Sequence, residues 1–280
     1  MLKNNDDQTS QAAVLTGGAG VIGSAFANGL AQAGIKTAIL DLDPSKAKDL
    51  AKRISDQTGT QVIGVPCDVL SLDSIQNADA EIAECLGPIS SLVNCAGGNS
   101  PSATTNAEKL SADLSNLEDS FFGIDVTGFR QSLDLNLLGT VLPCSILGKR
   151  IVAQKSGSIV NISSMNAFRP LTRIPAYSAA KSAVSNFTQW LAVHLAPTTV
   201  RVNAIAPGFF LTEQLRYLAF DENGELTPRY QRVLANTPMA RFGEPQELLG
   251  TLLYLLSDGS RFVTGTIIPV DGGFSAYSGV

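Results

Sequence analysis

Short apolar segments recur along the whole chain and alternate with stretches of helical length. Seven of them have the composition of buried strands: AAVLT (12–16), KTAIL (36–40), QVIGVP (61–66), SLVNCA (91–96), GSIVNIS (157–163), VRVNAIA (200–206) and TIIPV (266–270). Amphipathic segments separate most of them, for example 24–33, 45–57, 73–86 and 178–195. Repeated strand–helix–strand units favour a parallel sheet that helices cover on both faces. We therefore predict one α/β domain over residues 1–280, a doubly wound parallel sheet of about seven strands.

Two long segments interrupt this alternation. Residues 98–130 form a polar stretch after the fourth predicted strand, and residues 209–245 form a second excursion rich in Arg, Pro and Glu. Connections of this length in a compact domain usually carry function or move. We predict an insertion at 98–130 and a substrate loop at 209–245.

Charge and composition argue against several classes of protein. The 280 residues carry a net charge of −5 and no long run of Lys or Arg, which argues against nucleic-acid binding. The polar start, MLKNNDDQTSQAA, lacks the apolar region of a signal peptide. No run of consecutive apolar residues approaches the roughly 18 that span a bilayer. We expect a cytoplasmic protein with no membrane partner.

The cysteines and the histidine argue against metal chemistry. None of the four cysteines forms a CxxC pair, so no zinc knuckle or redox pair is predicted, and the thiols are expected to stay reduced. His194 is the only histidine and stands in WLAVHLA, which has the pattern of a helix. One histidine cannot build a three-His site, and its helical context argues against a Ser-His-Asp triad. We predict no metal site.

A glycine-rich turn follows the first predicted strand and opens the first predicted helix. Its sequence is TGGAGVIG, with Gly17, Gly18, Gly20 and Gly23 where a pyrophosphate would approach the backbone. A helix N-terminus offers such an anion free N–H groups and the positive end of the helix dipole. Turns of this kind also simply terminate strands, but the strand–turn–helix context favours a Rossmann-type dinucleotide site.

Asp41 ends the second predicted strand, eighteen residues after the glycine-rich turn. A dinucleotide fold places its ribose-binding carboxylate at about this distance. A carboxylate there would repel a 2′-phosphate, and Leu42, the next residue, is not basic. We therefore predict NAD rather than NADP as the cofactor. Asp41 could instead cap the following helix, although Asp43 ahead of Pro44 suits that position better.

Polar or small residues also follow the third and fourth predicted strands. Asp68, in CDV (67–69), could hydrogen-bond the adenine amino group, and NCAGG (94–98) places small residues where a cofactor would lie. Open α/β sheets bind ligands at the carboxyl ends of their strands. Each signal is weak alone, and together they place one nucleotide site at this edge.

Tyr177 and Lys181 stand four residues apart in YSAAK, thirteen residues after Ser164. Positions i and i+4 share one face of a helix. An ammonium beside a phenol lowers the pKa of the phenol, which is about 10 in isolation. Tyr177 could then exchange a proton with a carbonyl or an alcohol, with Ser164 bonding the same oxygen. Alone, a Tyr-x-x-x-Lys pair is usually a surface pair; the nucleotide turn and the upstream serine favour proton transfer.

These motifs resemble the short-chain dehydrogenase/reductase family over nearly the whole chain. TGGAGVIG is similar to the glycine-rich turn of that family, with Val21 where a glycine is usual. NCAG is similar to its Asn-Asn-Ala-Gly motif, with Cys95 as the second residue. PGFFLT (207–212) and VDGG (270–273) match its Pro-Gly turn and its last strand.

The resemblance implies roles for individual residues. The catalytic set would be Asn136, which in the family holds a water linked to the lysine, with Ser164, Tyr177 and Lys181. Thr212 would bind the nicotinamide carboxamide. Together, the motifs and the resemblance assign cofactor contacts to Gly17, Gly18, Gly20, Val21, Ile22, Gly23, Asp41, Leu42, Asp68, Val69, Asn94, Ala96, Gly97, Tyr177, Lys181, Pro207, Gly208 and Thr212.

Several segments are also similar to the D-mannonate oxidoreductase, or fructuronate reductase, branch of the family. They are the stretch from Ser163 to Ala196, APGFFLTEQ, DGGFSAYSGV and the 98–130 insertion. The implied activity is an NAD(H)-dependent interconversion of a secondary alcohol and a ketone on a sugar acid. The alternatives are a reductase of another keto-polyol or a 3-oxoacyl substrate, and a non-catalytic NAD-binding module.

The segment MNAFRPLTRIPA between Ser164 and Tyr177 must pass over the active site. Asn166 could bind a sugar hydroxyl, and Arg169 or Arg173 could bind a carboxylate bidentately. Either arginine could instead pair with an acid in the insertion or lie at a subunit contact. If neither binds the substrate acid, Arg216 in the 209–245 loop is the next candidate.

The helices predicted around 130–152 and 178–195 carry apolar faces that one sheet cannot fully cover. Exposed faces of this kind usually mark interfaces. Members of the family associate through these two helices and the last strand. We expect a homotetramer.

Overall fold

The computed structural model describes residues 12–212 and 219–279. Seven parallel strands form one sheet in the order β3-β2-β1-β4-β5-β6-β7, so the predicted doubly wound α/β architecture is confirmed. The strands are β1 (Ala12–Thr16), β2 (Lys36–Asp41), β3 (Val62–Pro66), β4 (Ser91–Asn94), β5 (Gly157–Ile162), β6 (Val200–Pro207) and β7 (Ile267–Val270).

Helices cover both faces of this sheet. They are α1 (Val21–Gln32), α2 (Pro44–Thr58), α3 (Leu72–Leu86), α4 (Val126–Leu133), α5 (Gly139–Ala153), α6 (Pro175–Leu195), α7 (Pro228–Ala235) and α8 (Leu249–Leu256). Buried side chains of α1, α2 and α8 belong to one apolar layer, and those of α3, α5 and α6 belong to the other. The two layers are the cores of a three-layer domain.

Alternation within a strand explains why β1 is apolar over most of its length. In β1, Ala12 and Val14 belong to the layer of α3, α5 and α6, whereas Ala13 and Leu15 belong to the opposite layer. Successive side chains of a strand point to opposite faces, and here both faces are buried. The sequence therefore shows continuous apolar runs rather than an alternating pattern.

The order of the strands in the sheet reverses at the boundary between β1 and β4, which are neighbours. Strands β1 to β3 run outward on one side of β1, and β4 to β7 run outward on the other. The loops after β1 and β4 therefore leave in opposite directions and open a crevice at their carboxyl ends. This crevice is the position that the sheet topology offers to a ligand.

The two long segments contain more regular structure than their sequence indicated. The predicted insertion at 98–130 overlaps α4, which begins at Val126, and short 3₁₀ turns lie at Pro101–Ala103 and Phe121–Gly123. The 209–245 segment contains α7, while residues 213–218, including the candidate Arg216, lie outside the described residues. Asp125 caps α4 by accepting from the amides of Thr127 and Gly128, a signal that the sequence already held.

Residues 126–153 form one continuous helix through a single π-helical turn at Asp134–Leu138. In the part of the chain that the structure describes, it is the one helix long and apolar enough to cross a membrane, with a mean hydropathy of 1.3. Length and composition alone also admit the core helix of a soluble protein. The α5 part buries Cys144, Leu147 and Ile151 in the layer shared with β4 and β5, and this packing accounts for its apolar composition.

Candidate active site

A cleft of about 600 Å³ lies at the carboxyl ends of β1 and β4, in the crevice that the topology opens. Fourteen of the predicted cofactor residues line it: Gly17, Gly20, Val21, Ile22, Gly23, Asp41, Leu42, Asp68, Val69, Ala96, Gly97, Tyr177, Lys181 and Thr212. Residues from six different segments of the chain thus meet around one space, as the carboxyl-end argument predicted.

The glycine-rich turn brings its backbone unusually close to the loop after β4. Gly17 has a left-handed backbone (φ +60°), and a Cβ there would stand 2.6 Å from the Cα of Ala96. A Cβ on Gly23 would stand 2.3 Å from the carbonyl oxygen of Gly17. Gly20 caps α1 without a side-chain hydrogen bond, so the first amides of the helix face the cleft uncapped. The turn therefore fits a pyrophosphate, which needs close backbone approach and free amides.

Asp41 occupies the cleft rim at the end of β2. Its Oδ2 accepts from the amide of Ala19 at 3.0 Å, and its Oδ1 accepts from the amide of Asp43 at 3.2 Å. Asp43 is the cap of α2, accepting from the amides of Ser45 and Lys46, so Asp41 does not have that role. Each oxygen of Asp41 retains a second lone pair for a ribose hydroxyl, and the exposed Leu42 beside it carries no charge for a phosphate.

Four predicted cofactor residues do not line the cleft. Asn94 is buried, and its amide donates to Asn161 Oδ1 at 2.9 Å and to Cys144 Sγ at 3.1 Å, which ties β4 to β5 and α5. Gly18 packs on Ile39, and Gly208 lies against the backbone of Asp271. Pro207 is buried at the end of β6. The sequence identified their motifs correctly but could not tell lining residues from those that support them.

Tyr177 and Lys181 lie one turn apart near the N-terminus of α6, as their spacing predicted. The Nζ of Lys181 stands 5.6 Å from the centroid of the Tyr177 ring. Lys181 is only 4% exposed, and its ammonium donates to the carbonyl oxygen of Ile162 at 2.8 Å. The end of β5 therefore holds the lysine head within the cleft.

Asn136 lies on the π-helical turn and is fully buried. Its Nδ2 donates to the carbonyl oxygen of Gly98 at 2.7 Å, and its Oδ1 accepts from the amide of Gly98 at 3.1 Å. A Cβ on Gly97 would stand 2.7 Å from this Oδ1 and 3.2 Å from Lys181 Nζ. Asn136 thus fixes the loop after β4 against the lysine, and only a glycine fits between them.

Burial shifts the two titrating groups toward their neutral forms. Burial raises the pKa of Tyr177, the hydrogen bond with Ser164 lowers it, and the neighbouring Cys95 raises it further. Burial also lowers the pKa of Lys181 to about 8, against a smaller opposing effect of Cys95. The pKa of Tyr177 is therefore raised, whereas a lowering by Lys181 was expected, because the effect of burial exceeds that of the hydrogen bond with Ser164.

Four side chains that the sequence reasoning did not assign also line the cleft: Cys67, Cys95, Leu135 and Ile162. Burial raises the pKa of Cys67 to about 11 and that of Cys95 to about 12, so both thiols stay neutral. The two cysteines directly precede Asp68 and Ala96, so the carboxyl-end rule could have named them. The π-helical turn determines that the side chain of Leu135 lines the cleft, and the sequence does not show this turn.

The predicted substrate residues between Ser164 and Tyr177 have different surroundings. Ser164 caps the 3₁₀ turn at Met165–Ala167 by accepting from the amide of Asn166. Asn166 is 4% exposed, and its Oδ1 has no hydrogen-bond partner among the described residues. Arg169 is exposed, and its side chain makes no bond within residues 12–212 or 219–279. Arg173 Nε donates to the carbonyl oxygen of Thr105 at 2.7 Å, so its hydrogen-bond partner in the insertion is a carbonyl group and not the acid considered as an alternative.

We predict that the buried ammonium of Lys181 destabilises the ligand-free protein below pH 8. Its pKa falls from 10.5 in the unfolded chain to about 8 in the fold. Between these values the unfolded chain binds the extra proton, so the free energy of unfolding rises with pH. Lys181→Met removes this rise and is therefore more stable than wild type at pH 7. The difference between their free energies of unfolding is expected to fall by about 3 kcal/mol between pH 7 and 10.5. Urea unfolding of both proteins measures it; a constant difference would show that the folded protein keeps this proton throughout.

Known proteins resemble this chain over nearly its full length. A family model described as Enoyl-(Acyl carrier protein) reductase matches residues 17–275. A crystal structure with bound NAD, of a Haemophilus influenza protein provisionally assigned as a D-mannonate oxidoreductase, is 46% identical, with a TM-score of 0.93 and 97% of both chains covered.

Two curated relatives are also similar. An uncharacterized oxidoreductase of Bacillus subtilis, UxuB, is 44% identical over 281 aligned positions, which cover 100% of both chains. The 2-dehydro-3-deoxy-D-gluconate 5-dehydrogenase of Formosa agariphila is 30% identical over 274 positions, 98% of this chain and 96% of the relative. The glycine-rich turn, the Tyr177–Lys181 pair and this full-length similarity have one explanation: the chain belongs to the short-chain dehydrogenase/reductase family of oxidoreductases.

Proposed function

We propose that this protein interconverts a secondary alcohol and a ketone on a sugar acid, D-mannonate and D-fructuronate being the first pair to test, with NAD(H) as the cofactor. One arrangement carries the proposal. A single cleft is bordered by the glycine-rich turn and Asp41 at one end, and by Tyr177 and Lys181 at the other. A surface suited to a dinucleotide thus continues into a phenol suited to proton transfer.

The chain binds the cofactor through groups already in place. The uncapped amides of α1 bind its pyrophosphate, Asp41 binds its adenine ribose, and Thr212 lies at the opposite end of the cleft, where the family binds the carboxamide. When bound, NADH supplies the hydride that reduces a carbonyl carbon. The protein orients the substrate, excludes water and moves the proton.

Tyr177 is the proposed acid and base. Its hydroxyl gives a proton to the carbonyl oxygen in reduction and takes one from the alcohol in oxidation. Ser164 lies close enough to Tyr177 to lower the pKa of the phenol, so both hydroxyls can reach one substrate oxygen. The Lys181 ammonium stabilises the phenolate left after proton donation. Asn136 positions the loop after β4, which forms the opposite wall.

Charge supports an acidic substrate over its neutral counterparts. Two similar proteins carry sugar-acid names, the Haemophilus influenza protein and the Formosa agariphila dehydrogenase. The segment between Ser164 and Tyr177 carries both Arg169 and Arg173, and an arginine binds carboxylates in a fixed geometry.

A 3-oxoacyl reductase is the second candidate, because the 3-oxoacyl-(acyl-carrier-protein) reductase of Aquifex aeolicus is 33% identical over 93% of this chain and 95% of its own length. Asp41 argues against it, since acyl reductases of the family mostly use NADP. A non-catalytic NAD-binding module is the third. Such a module would bind NADH and turn over no carbonyl compound. The presence of both Tyr177 and Lys181 in the cleft argues against it.

Tyr177→Phe is expected to abolish turnover and leave NADH affinity nearly unchanged. The ring still packs, but the transferable proton is lost. Steady-state rates and fluorescence titration with NADH measure the two properties. A variant that keeps more than about a tenth of the wild-type rate, a loss under ~1.4 kcal/mol, would place the proton donor elsewhere.

Wild type is expected to prefer NADH to NADPH, and Asp41→Ala to relax this preference by removing both the ribose bonds and the charge. Asp41→Asn is the matched variant, because its amide oxygen can still accept from the Ala19 amide while the charge is absent. Ratios of kcat/KM for the two cofactors on one substrate decide the matter. An unchanged ratio in both variants would contradict a role of Asp41 in cofactor choice.

D-Fructuronate is expected to be reduced with a higher kcat/KM than D-fructose, its neutral counterpart, since the arginines stabilise a bound carboxylate. The same assay on a panel of sugar acids, keto-polyols and a 3-oxoacyl thioester ranks the three candidate functions. A preference of wild type for the neutral ketose would refute the sugar-acid proposal.

A homotetramer is part of the proposal. On α6, Trp190 and Val193 are 58% and 78% exposed. Trp190 also borders a cavity of about 410 Å³ between α5 and α6. The rings of Trp190 and His194 stack with 4.9 Å between their centroids. Trp190 and Val193 thus leave an apolar face of α6 exposed in one chain. A cytoplasmic location remains a prediction from the sequence.

Val193→Asp is expected to shift the tetramer toward smaller species, because a buried carboxylate without a partner is costly at an apolar interface. Light scattering at micromolar concentration measures the mass, with the exposed Val126→Asp on α4 as the control. A monomeric wild type would overturn the oligomer proposal.

A further inference from the structure

Three segments of the chain, namely the 98–130 insertion, the stretch that leads into α6, and α7, are joined by one cluster of charged residues. Glu108, in the insertion, accepts at the same Oε1 from Arg229 at 3.0 Å and from Arg232 at 2.7 Å, both on α7. Arg173 lies in the segment that leads into α6 and bonds Thr105 of the insertion. Two guanidinium groups thus share the Glu108 carboxylate, and the third, that of Arg173, bonds a neutral carbonyl group, so these contacts hold three positive charges and one negative charge.

Arg173 is held in an unusual backbone conformation. Its φ is +76°, in the left-handed region that non-glycine residues seldom adopt. Two hydrogen bonds with Thr105 hold it there: Arg173 Nε donates to the Thr105 carbonyl at 2.7 Å, and the Thr105 amide donates to the Arg173 carbonyl at 2.8 Å. Strain of this kind gathers at functional sites. The backbone thus fixes where the guanidinium stands.

The terminal nitrogens of Arg173 are available to a ligand. Neither Nη has a hydrogen bond or an ion pair within the described residues. The side chain borders a cavity of about 230 Å³ whose wall includes Pro175, two residues before Tyr177. A guanidinium anchored only through Nε still presents both Nη groups, the pair that binds a carboxylate bidentately.

Arg229 reaches the same place from α7. Its Nη1 donates to Thr172 Oγ1 at 3.2 Å and its Nη2 to the Thr172 carbonyl at 3.4 Å, so its head lies beside the residue that precedes Arg173. Both arginines lower the pKa of the buried Tyr230, which burial raises, so both lie near one phenol. Arg232 differs, because its side chain is 60% exposed and its one hydrogen-bond or ion-pair partner among the described residues is Glu108.

We propose that Arg173 and Arg229 together bind the carboxylate of the substrate and so select acids over neutral sugars. The inference rests on the proposed function and assigns its specificity to a pair of residues from two segments. Glu108 holds Arg229 in position, and Arg173 supplies its two Nη groups, which have no partner among the described residues. Arg169, which is exposed and unanchored, is not part of this pair, and Arg229 is a residue that the sequence motifs do not indicate.

The test compares three arginine variants on two substrates. Wild type, Arg173→Met, Arg229→Met and Arg232→Met are assayed with NADH on D-fructuronate and on D-fructose. Loss of a charge-assisted bond to the acid is expected to lower kcat/KM for D-fructuronate about tenfold to a hundredfold in the first two variants, mainly through KM. The value for D-fructose is expected to stay within about twofold. Arg232→Met is the matched control, since it also removes a bond to Glu108 Oε1, and its acid-to-ketose ratio is expected to equal that of wild type.

Each other result overturns the proposal in a recognisable way. Equal effects of Arg229→Met and Arg232→Met, or parallel losses on both substrates, would show that the cluster only holds the segments together. NADH titration and thermal unfolding show whether each variant is folded. If a Met variant is unfolded, the matching Arg173→Lys or Arg229→Lys variant, which keeps the charge, takes its place. The Lys variants must retain part of the acid preference, or the proposal fails. An acid preference that survives both Met variants leaves the proposed function standing without this pair. A wild type that prefers the ketose, or reduces neither sugar, removes the proposed substrate class and the pair with it.

Discussion

The close approach of the glycine-rich turn to the loop after β4 is the constraint on which the site depends. Because β1 and β4 are parallel neighbours at the point where the strand order reverses, their outgoing loops face each other across a narrow crevice. The absence of a side chain at Gly17 allows this approach, and its absence at Gly97 lets Asn136 and Lys181 pack against the loop after β4 from the other side. The cleft floor, the loop position and the lysine environment all follow from that contact. A larger residue at either glycine would displace all three together.

The chemistry of the site has a cost in stability that the rest of the fold offsets. A lysine that is 4% exposed and a half-buried tyrosine are both poorly solvated in their charged forms. The ammonium is held by one carbonyl of β5, which is little compensation for lost water. The two apolar layers on the central sheet supply the surplus stability that permits such a group. The same poor solvation strengthens the interaction between the lysine and any negative charge that develops on the phenol.

The sequence sufficed for the sheet and for most of the cofactor cleft, because both follow from local patterns. Apolar runs marked all seven strands to within two residues at each end, and the turns after β1 to β4 contain most of the residues that line the cleft. The sequence failed where several segments act together. The roles of Asn94 and Gly208 depend on cross-strand neighbours, and the protonation of Tyr177 depends on burial rather than on the nearby lysine. Arg229 stands 52 positions after Tyr177 and meets its segment only through the path of the folded chain.

The π-helical turn at Asp134–Leu138 has a geometric consequence for the long helix that contains it. A π-turn adds one residue to a helix, and each residue advances the direction of a side chain by about 100°. The helix therefore changes phase at Asn136 without a break in its axis. Before the turn, α4 packs on α6 and the insertion; beyond it, α5 packs on α3 and on the sheet. Removal of one residue from this turn would restore a uniform phase and rotate one of the two apolar faces away from its partner. The one extra residue therefore allows a single long helix to pack against two surfaces of different orientation.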